Sequence, residues 1–253
     1  MKTDNFPTAL TELLVAFTLL TRLPLPHLPE KAFENSARAV WAYPLTGLVT
    51  ASAGCGLASA LFAAGLPVAL SAGLGLALAT FLTGALHEDG LADLADGFWG
   101  AHTPARRLEI MKDSQIGSYG TLVLVFSTGL RWMAWATLLA SGPAWIIAAA
   151  VLSRAAMPVL MRALPSARSN GLSHSVGRPS GPRVAAGVVV ALVICLALAG
   201  VPALAAAAAV GVAAWGIAWL ARRKIGGQTG DVLGASQQVG EVFALCVLAA
   251  AVQ

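Results

Sequence analysis

Twenty-one consecutive residues, Leu66 to Leu86 (LPVALSAGLGLALATFLTGAL), contain no charged side chain. Comparable runs recur at roughly 39–63, 117–140, 143–162, 184–200, 202–221 and 233–252, with the charges gathered between them. A helix of about 20 residues crosses a hydrocarbon core of roughly 30 Å. In lipid the backbone must satisfy its own polar groups, so such runs are expected to be helical. Only 11% of the 253 residues are charged, against about 25% in a soluble domain. Too little polar surface exists to face water all round. The expected fold is all-α: one polytopic membrane-embedded bundle over residues 1–253, with about seven transmembrane helices and a short helix at 8–22. That first helix contains Glu12 and lacks a basic start and a small-residue cleavage site. It reads as a retained interfacial helix rather than a signal peptide.

The charges also set an orientation. The connections at 63–67, 140–144 and 199–203 are short and uncharged, whereas those at about 22–38, 87–116, 162–183 and 222–232 are long and polar. Thirteen of the sixteen Lys and Arg lie in the second group. Alternate connections share one side, and the positive-inside rule makes that side the cytosol. A net charge of +4 and a pI near 9.3 therefore point to topology and not to nucleic acid. Cys55, Cys195 and Cys246 are odd in number and sit inside apolar runs, which leaves neither a disulfide framework nor zinc spacing. Abundant Gly and Ala suit close helix packing in lipid. Segment 164–183, rich in Ser, Gly, Pro and Arg, reads as a mobile loop.

Against this background, HEDGLADLADG (87–97) is an anomaly: four carboxylates in eleven residues, at the end of an apolar run. If the helix of 66–86 continues through it, Asp89, Asp93 and Asp96 share one face at i, i+4 and i+7. Two negative charges about 6 Å apart repel by roughly 3 kcal/mol at an effective dielectric near 20. A cation or protons must offset that. An oxygen-only cluster suits Mg²⁺, which takes one or two carboxylates and shares its other positions with water and phosphate. The expected metal ligands are Asp89, Asp93 and Asp96, with Glu88 a weaker one because it points off the shared face. His87 either contacts substrate or ends the helix.

Other polar positions fit a phosphate-handling pocket. Lys112, Asp113 and Ser114 precede a glycine-interrupted helix start at 111–120, where an anion could be received. Thr229, Gly230 and Asp231, in the Gly-rich loop 226–232, open the last helix in the same manner, with a plain N-cap as the alternative for Asp231. Arg131 and Arg154 lie inside apolar runs and need partners, either an anionic substrate or one of these acids.

Five stretches, FTLLTRLPLP (17–26), YPLTGLV (43–49), HEDGLADLADGFWG (87–100), EIMKDSQIGSYG (109–120) and GGQTGDVLGA (226–235), in this order, resemble the cobalamin synthase family, the adenosylcobinamide-GDP ribazoletransferases. Gln115 stands where many members carry Arg. The resemblance implies a Mg²⁺-dependent transferase of the inner membrane, active on its cytosolic face. The 3′-hydroxyl of α-ribazole, or of its 5′-phosphate, attacks the cobinamide-linked phosphorus of adenosylcobinamide-GDP, and GMP leaves. Asp89, Asp93 and Asp96 would hold the metal, with Asp93 or Asp96 as general base. His87, Lys112, Asp113, Ser114, Arg131, Arg154, Thr229, Gly230 and Asp231 are the substrate-contact candidates. Homo-oligomerisation is left open. The rival readings are another Mg²⁺-dependent membrane enzyme acting on a diphosphate, such as a CDP-alcohol phosphotransferase or prenyltransferase, and a cation transporter.

Overall fold

A computed structural model describes residues 8–252. Eleven α-helices follow in order: α1 Thr8–Leu20, α2 Tyr43–Ala63, α3 Val68–Leu82, α4 Leu86–Gly100, α5 Pro104–Ile110, α6 Ser118–Ser141, α7 Ala144–Ala163, α8 Leu172–Val176, α9 Gly181–Ala199, α10 Pro202–Ile225 and α11 Gly230–Ala251. Two 3-10 segments, Glu30–Phe33 and Ser36–Ala42, lead into α2. No strand occurs among the described residues, only an isolated bridge between Ser166 and Gln228.

Six of these helices are long and apolar enough to cross a bilayer, or seven if the bent pair α3 and α4 forms one span. The helices α7 and α11 form the centre, with 78% and 67% of their most apolar stretches buried. Those around them turn Phe81, Phe126, Met133, Val193 and Trp215 outward, as a lipid-facing belt requires. Small residues permit the tight packing expected of them: a Cβ on Gly54 of α2 would lie 2.5 Å from the Gly75 carbonyl oxygen of α3.

One expectation is corrected here. The helix of 66–86 does not run on through the acidic motif. It stops at Leu82, and α4 departs at 85°. Gly84 (φ 64°) and Ala85 (φ 55°) both take left-handed backbone. Gly84 N–H donates to Phe81 O, and Ala85 N–H to Thr80 O, at 2.9 and 3.0 Å. This left-handed ending satisfies the last carbonyls of α3. Residues 87–116 are accordingly not a loop but mostly the helices α4 and α5.

The polar connections meet at one end of the bundle. Arg107 donates to Lys224 O at 2.9 Å, Lys224 to Phe98 O at 2.5 Å, and Arg168 to Leu108 O at 3.1 Å. Segment 164–183 is tied down as well: Gln228 N–H donates to Pro165 O at 2.8 Å, and Ala167 N–H to Gln228 O at 2.9 Å. The first helix is held by Glu12, which accepts from Arg183 at 2.6 and 3.0 Å and from Trp41 Nε1 at 2.8 Å.

Candidate functional site

The acidic motif forms α4, and α4 crosses the start of α11 at two glycines. A Cβ on Gly90 would stand 3.0 Å from Asp231 Cα, and one on Gly234 would stand 3.2 Å from His87 Cα. Backbones this close leave no room for larger side chains. The crossing brings the acids of α4 beside Asp231, so that Asp93 feels the charges of Asp89, Asp231, Asp96 and Arg168. Asp89 is exposed and Asp93 half-buried. Among the described residues, neither takes part in an ion pair.

The four acids expected to form one metal centre have separate fates. Asp96 accepts from Gly117 N–H at 2.7 Å and from Gly120 N–H at 2.9 Å. It therefore fills the N-terminus of α6, where unpaired N–H groups and the helix dipole favour a negative charge. The helix start expected to receive a substrate anion receives this carboxylate instead. Seven residues of helix also place Asp96 about 10 Å along the axis from Asp89. Glu88 turns the other way, into the bundle. Among the described residues, no three His, Cys, Asp or Glu side chains converge closely enough to hold an ion between them.

Inside the bundle, Glu88 accepts from Arg131 at 2.7 Å and from Gln238 at 3.1 Å. Arg131 also pairs with Glu241 at 3.1 Å, and Arg154 lies 3.8 Å from Glu241. Gln237 donates to Glu241 at 2.6 Å and to Ser153 at 3.0 Å. All of these side chains are buried. Two carboxylates balance two guanidiniums, which is what makes the charges tolerable at this depth. Arg131 and Arg154 thus find their partners in the protein's own acids, and they do not line the cleft beside α4.

That cleft encloses about 170 Å³ between α1, α2, α4, α7, α11 and the 168–176 segment. His87, Asp89, Thr229, Gly230 and Asp231, all expected at the site, line it. Lys112, Asp113 and Ser114 do not; they sit in the exposed stretch between α5 and α6, where Asp113 accepts from Gln115 N–H at 3.1 Å. At the start of α11 the cap is Thr229, which accepts from Val232 N–H at 3.3 Å. Asp231 stands in the first turn and takes two bonds on Oδ2, from Thr229 and from Arg168, both at 3.1 Å.

Arg168 is the functional candidate that the sequence reading passed over. It is the one Lys or Arg lining the cleft among the described residues. Its guanidinium bridges Asp231 and Leu108 O, and its buried Nε has no partner among the described residues. Sixty-three residues separate it from Asp231, so no local spacing advertises the pair.

The chain as a whole has recognisable relatives. The cobalamin-5-phosphate synthase family profile matches residues 12–249. A Bradyrhizobium diazoefficiens protein named adenosylcobinamide-GDP ribazoletransferase is 43% identical over 254 residues, covering 98% of this chain and 96% of its own. Proteins of that name from a Sinorhizobium species (43% identical, 91% and 92% covered) and Mesorhizobium japonicum (38%, 96% and 94%) are similarly close. No solved structure matches the chain. With the profile spanning nearly every helix and the relatives aligned end to end, the chain belongs to the cobalamin-5-phosphate synthase family.

Proposed function

We propose that this chain carries out the transfer for which its relatives are named, with adenosylcobinamide-GDP as donor and α-ribazole, or its 5′-phosphate, as acceptor. The acceptor's 3′-oxygen bonds to the cobinamide-linked phosphorus. The bond from that phosphorus to the bridging oxygen breaks, and GMP departs with it. The hydroxyl proton passes to a carboxylate within hydrogen-bond reach. The supporting observation is the α4–α11 crossing: Asp89, Asp231 and Arg168 line one cleft there, and Asp93 lies close enough to feel the charge of all three. The polar end carrying this cleft is assigned to the cytosolic face of the inner membrane by the positive-inside rule.

Asp96 and Asp93 were equal candidates for general base. Asp96 has both oxygens engaged by backbone N–H groups, so the role falls to Asp93. Arg168 keeps Asp231 in place and has unused donors for a phosphate oxygen, in the fork geometry that favours such contacts. The donor chemistry fits Mg²⁺: the groups are oxygen only, and Asp89 and Asp93 would hold it. Mg²⁺ needs only one or two carboxylates and leaves its other positions to water and substrate phosphate. When bound, it neutralises charge on the diphosphate. Glu88, committed to Arg131, has no part in this.

The test is direct. The purified protein in detergent, given adenosylcobinamide-GDP, α-ribazole and Mg²⁺, is expected to release GMP and form the complete phosphodiester. Asp93→Asn is expected to lose about 100-fold or more in kcat, and chelation of the metal to stop turnover. Absence of GMP from the parent protein would remove this reading; full activity of Asp93→Asn would remove Asp93 from it.

A further inference from the structure

The cleft is lined by two kinds of residue. Asp89, Thr229, Asp231 and Arg168 stand at its polar side, while Leu20, Tyr43, Leu86, Met157, Met161 and Leu233 make an apolar wall. Of these six, all but Leu86 are buried. The enclosed space is about 170 Å³. For comparison, an apolar cavity of about 150 Å³ takes up a benzene ring. One or two fused rings fill the space, and a macrocycle is far too large for it.

We infer that this apolar wall is the subsite for the flat, uncharged aromatic base of the acceptor riboside. The inference rests on the reaction proposed above and deepens it by assigning the enclosed cleft to one of the two substrates. With the base inserted, the ribose lies toward the polar side and its hydroxyls face the carboxylates. The corrin macrocycle stays outside, and only its phosphate end reaches Arg168 and the acids. Met157 and Met161 stand at i and i+4 on α7, on the same face. Their unbranched thioethers shape themselves to a ring edge. Tyr43 adds an aromatic surface. His87 also lines the cleft, 2% exposed, with Nε2 buried and without a partner among the described residues. Its imidazole is a hydrogen-bonding group set in an apolar wall, suited to the base nitrogen that does not carry the sugar.

The experiment compares the full-length protein in detergent with the Met157→Ala, Met161→Ala double variant. Equilibrium dialysis measures the binding of α-ribazole, and steady-state assays give KM for each substrate. The expected result is a rise of about tenfold or more in the α-ribazole Kd, as lost methylene contacts in an apolar site produce. KM for adenosylcobinamide-GDP should stay within about twofold. The widened variant should also gain relative preference for a riboside whose base has three fused rings, a shift that mere loosening of the fold would not give. An unchanged α-ribazole Kd in the folded variant, or a rise confined to KM for the corrinoid, overturns the assignment. If the double variant does not fold, Met161→Phe narrows the same space by placing a bulkier, rigid ring in its wall and is expected to weaken α-ribazole selectively. Parent protein that binds α-ribazole in dialysis yet releases no GMP would sink the reaction and keep the subsite. Parent protein that turns over, with variants impaired only toward the corrinoid, would do the reverse.

Discussion

Asp93 and Asp96 lie three residues apart in one motif, yet their surroundings give them different work. Asp96 is a structural anion that closes the start of α6. Asp96→Ala is expected to cost about 1–2 kcal/mol of stability, the usual loss when a helix N-terminus loses its acceptor, read as a lower melting temperature in detergent. Asp93→Asn should leave melting nearly unchanged while activity falls, and comparing the two variants separates the roles. Deeper in, Glu241→Leu strips Arg131 and Arg154 of their shared carboxylate. Removing one partner of a buried pair costs about 3–5 kcal/mol. Adding Arg131→Leu restores the balance, leaving Arg154 with Glu88, so the double variant should melt higher than Glu241→Leu alone.

At the scale of elements, function depends on how closely two helices approach. Gly234→Val places branched carbon atoms against the backbone of His87 and Gly90 and should drive α4 away from α11. Turnover is expected to drop by about 100-fold, the scale on which a displacement near 1 Å acts, although every polar group of the cleft is retained. Activity close to that of the parent would show that the crossing does not set the site. The helices themselves were legible in the sequence, because unbroken apolar length is a strong signal: the runs at 117–140 and 143–162 match α6 and α7 within two residues. The break at Gly84 and Ala85 was not legible. Thr83, Gly84 and Ala85 are small and uncharged, and no apolar pattern changes where the chain turns. The i, i+4, i+7 spacing of the aspartates was visible, but the backbone donors of α6 that claim Asp96 lie 21 and 24 residues away. Arg131 and Arg154 announced that they needed partners, and the sequence alone could not decide between substrate and protein.

At the scale of the whole molecule, polar connections gather at one end and short neutral turns occupy the other. Single cysteines at Ser169 and Ser141, placed in a background with Cys246 replaced, test this. Both positions are exposed, and Cys55 and Cys195 are buried. A membrane-impermeant maleimide should reach position 169 only in inverted vesicles and position 141 only in intact cells. Labelling of both from the same side would overturn the arrangement. The neutral charge cluster carries a further consequence, for the order in which the protein is made. Arg131 precedes Glu241 by 110 residues, so α6 leaves the ribosome long before the acid that shares its guanidinium. Until the final helix enters the bilayer, Arg154 waits unmatched and Arg131 has only Glu88. A chain cut short before α11 would hold one guanidinium more than it has carboxylates to match inside the bundle, at the cost that an unpaired charge carries in lipid, so the charge balance of the bundle closes only with its last helix.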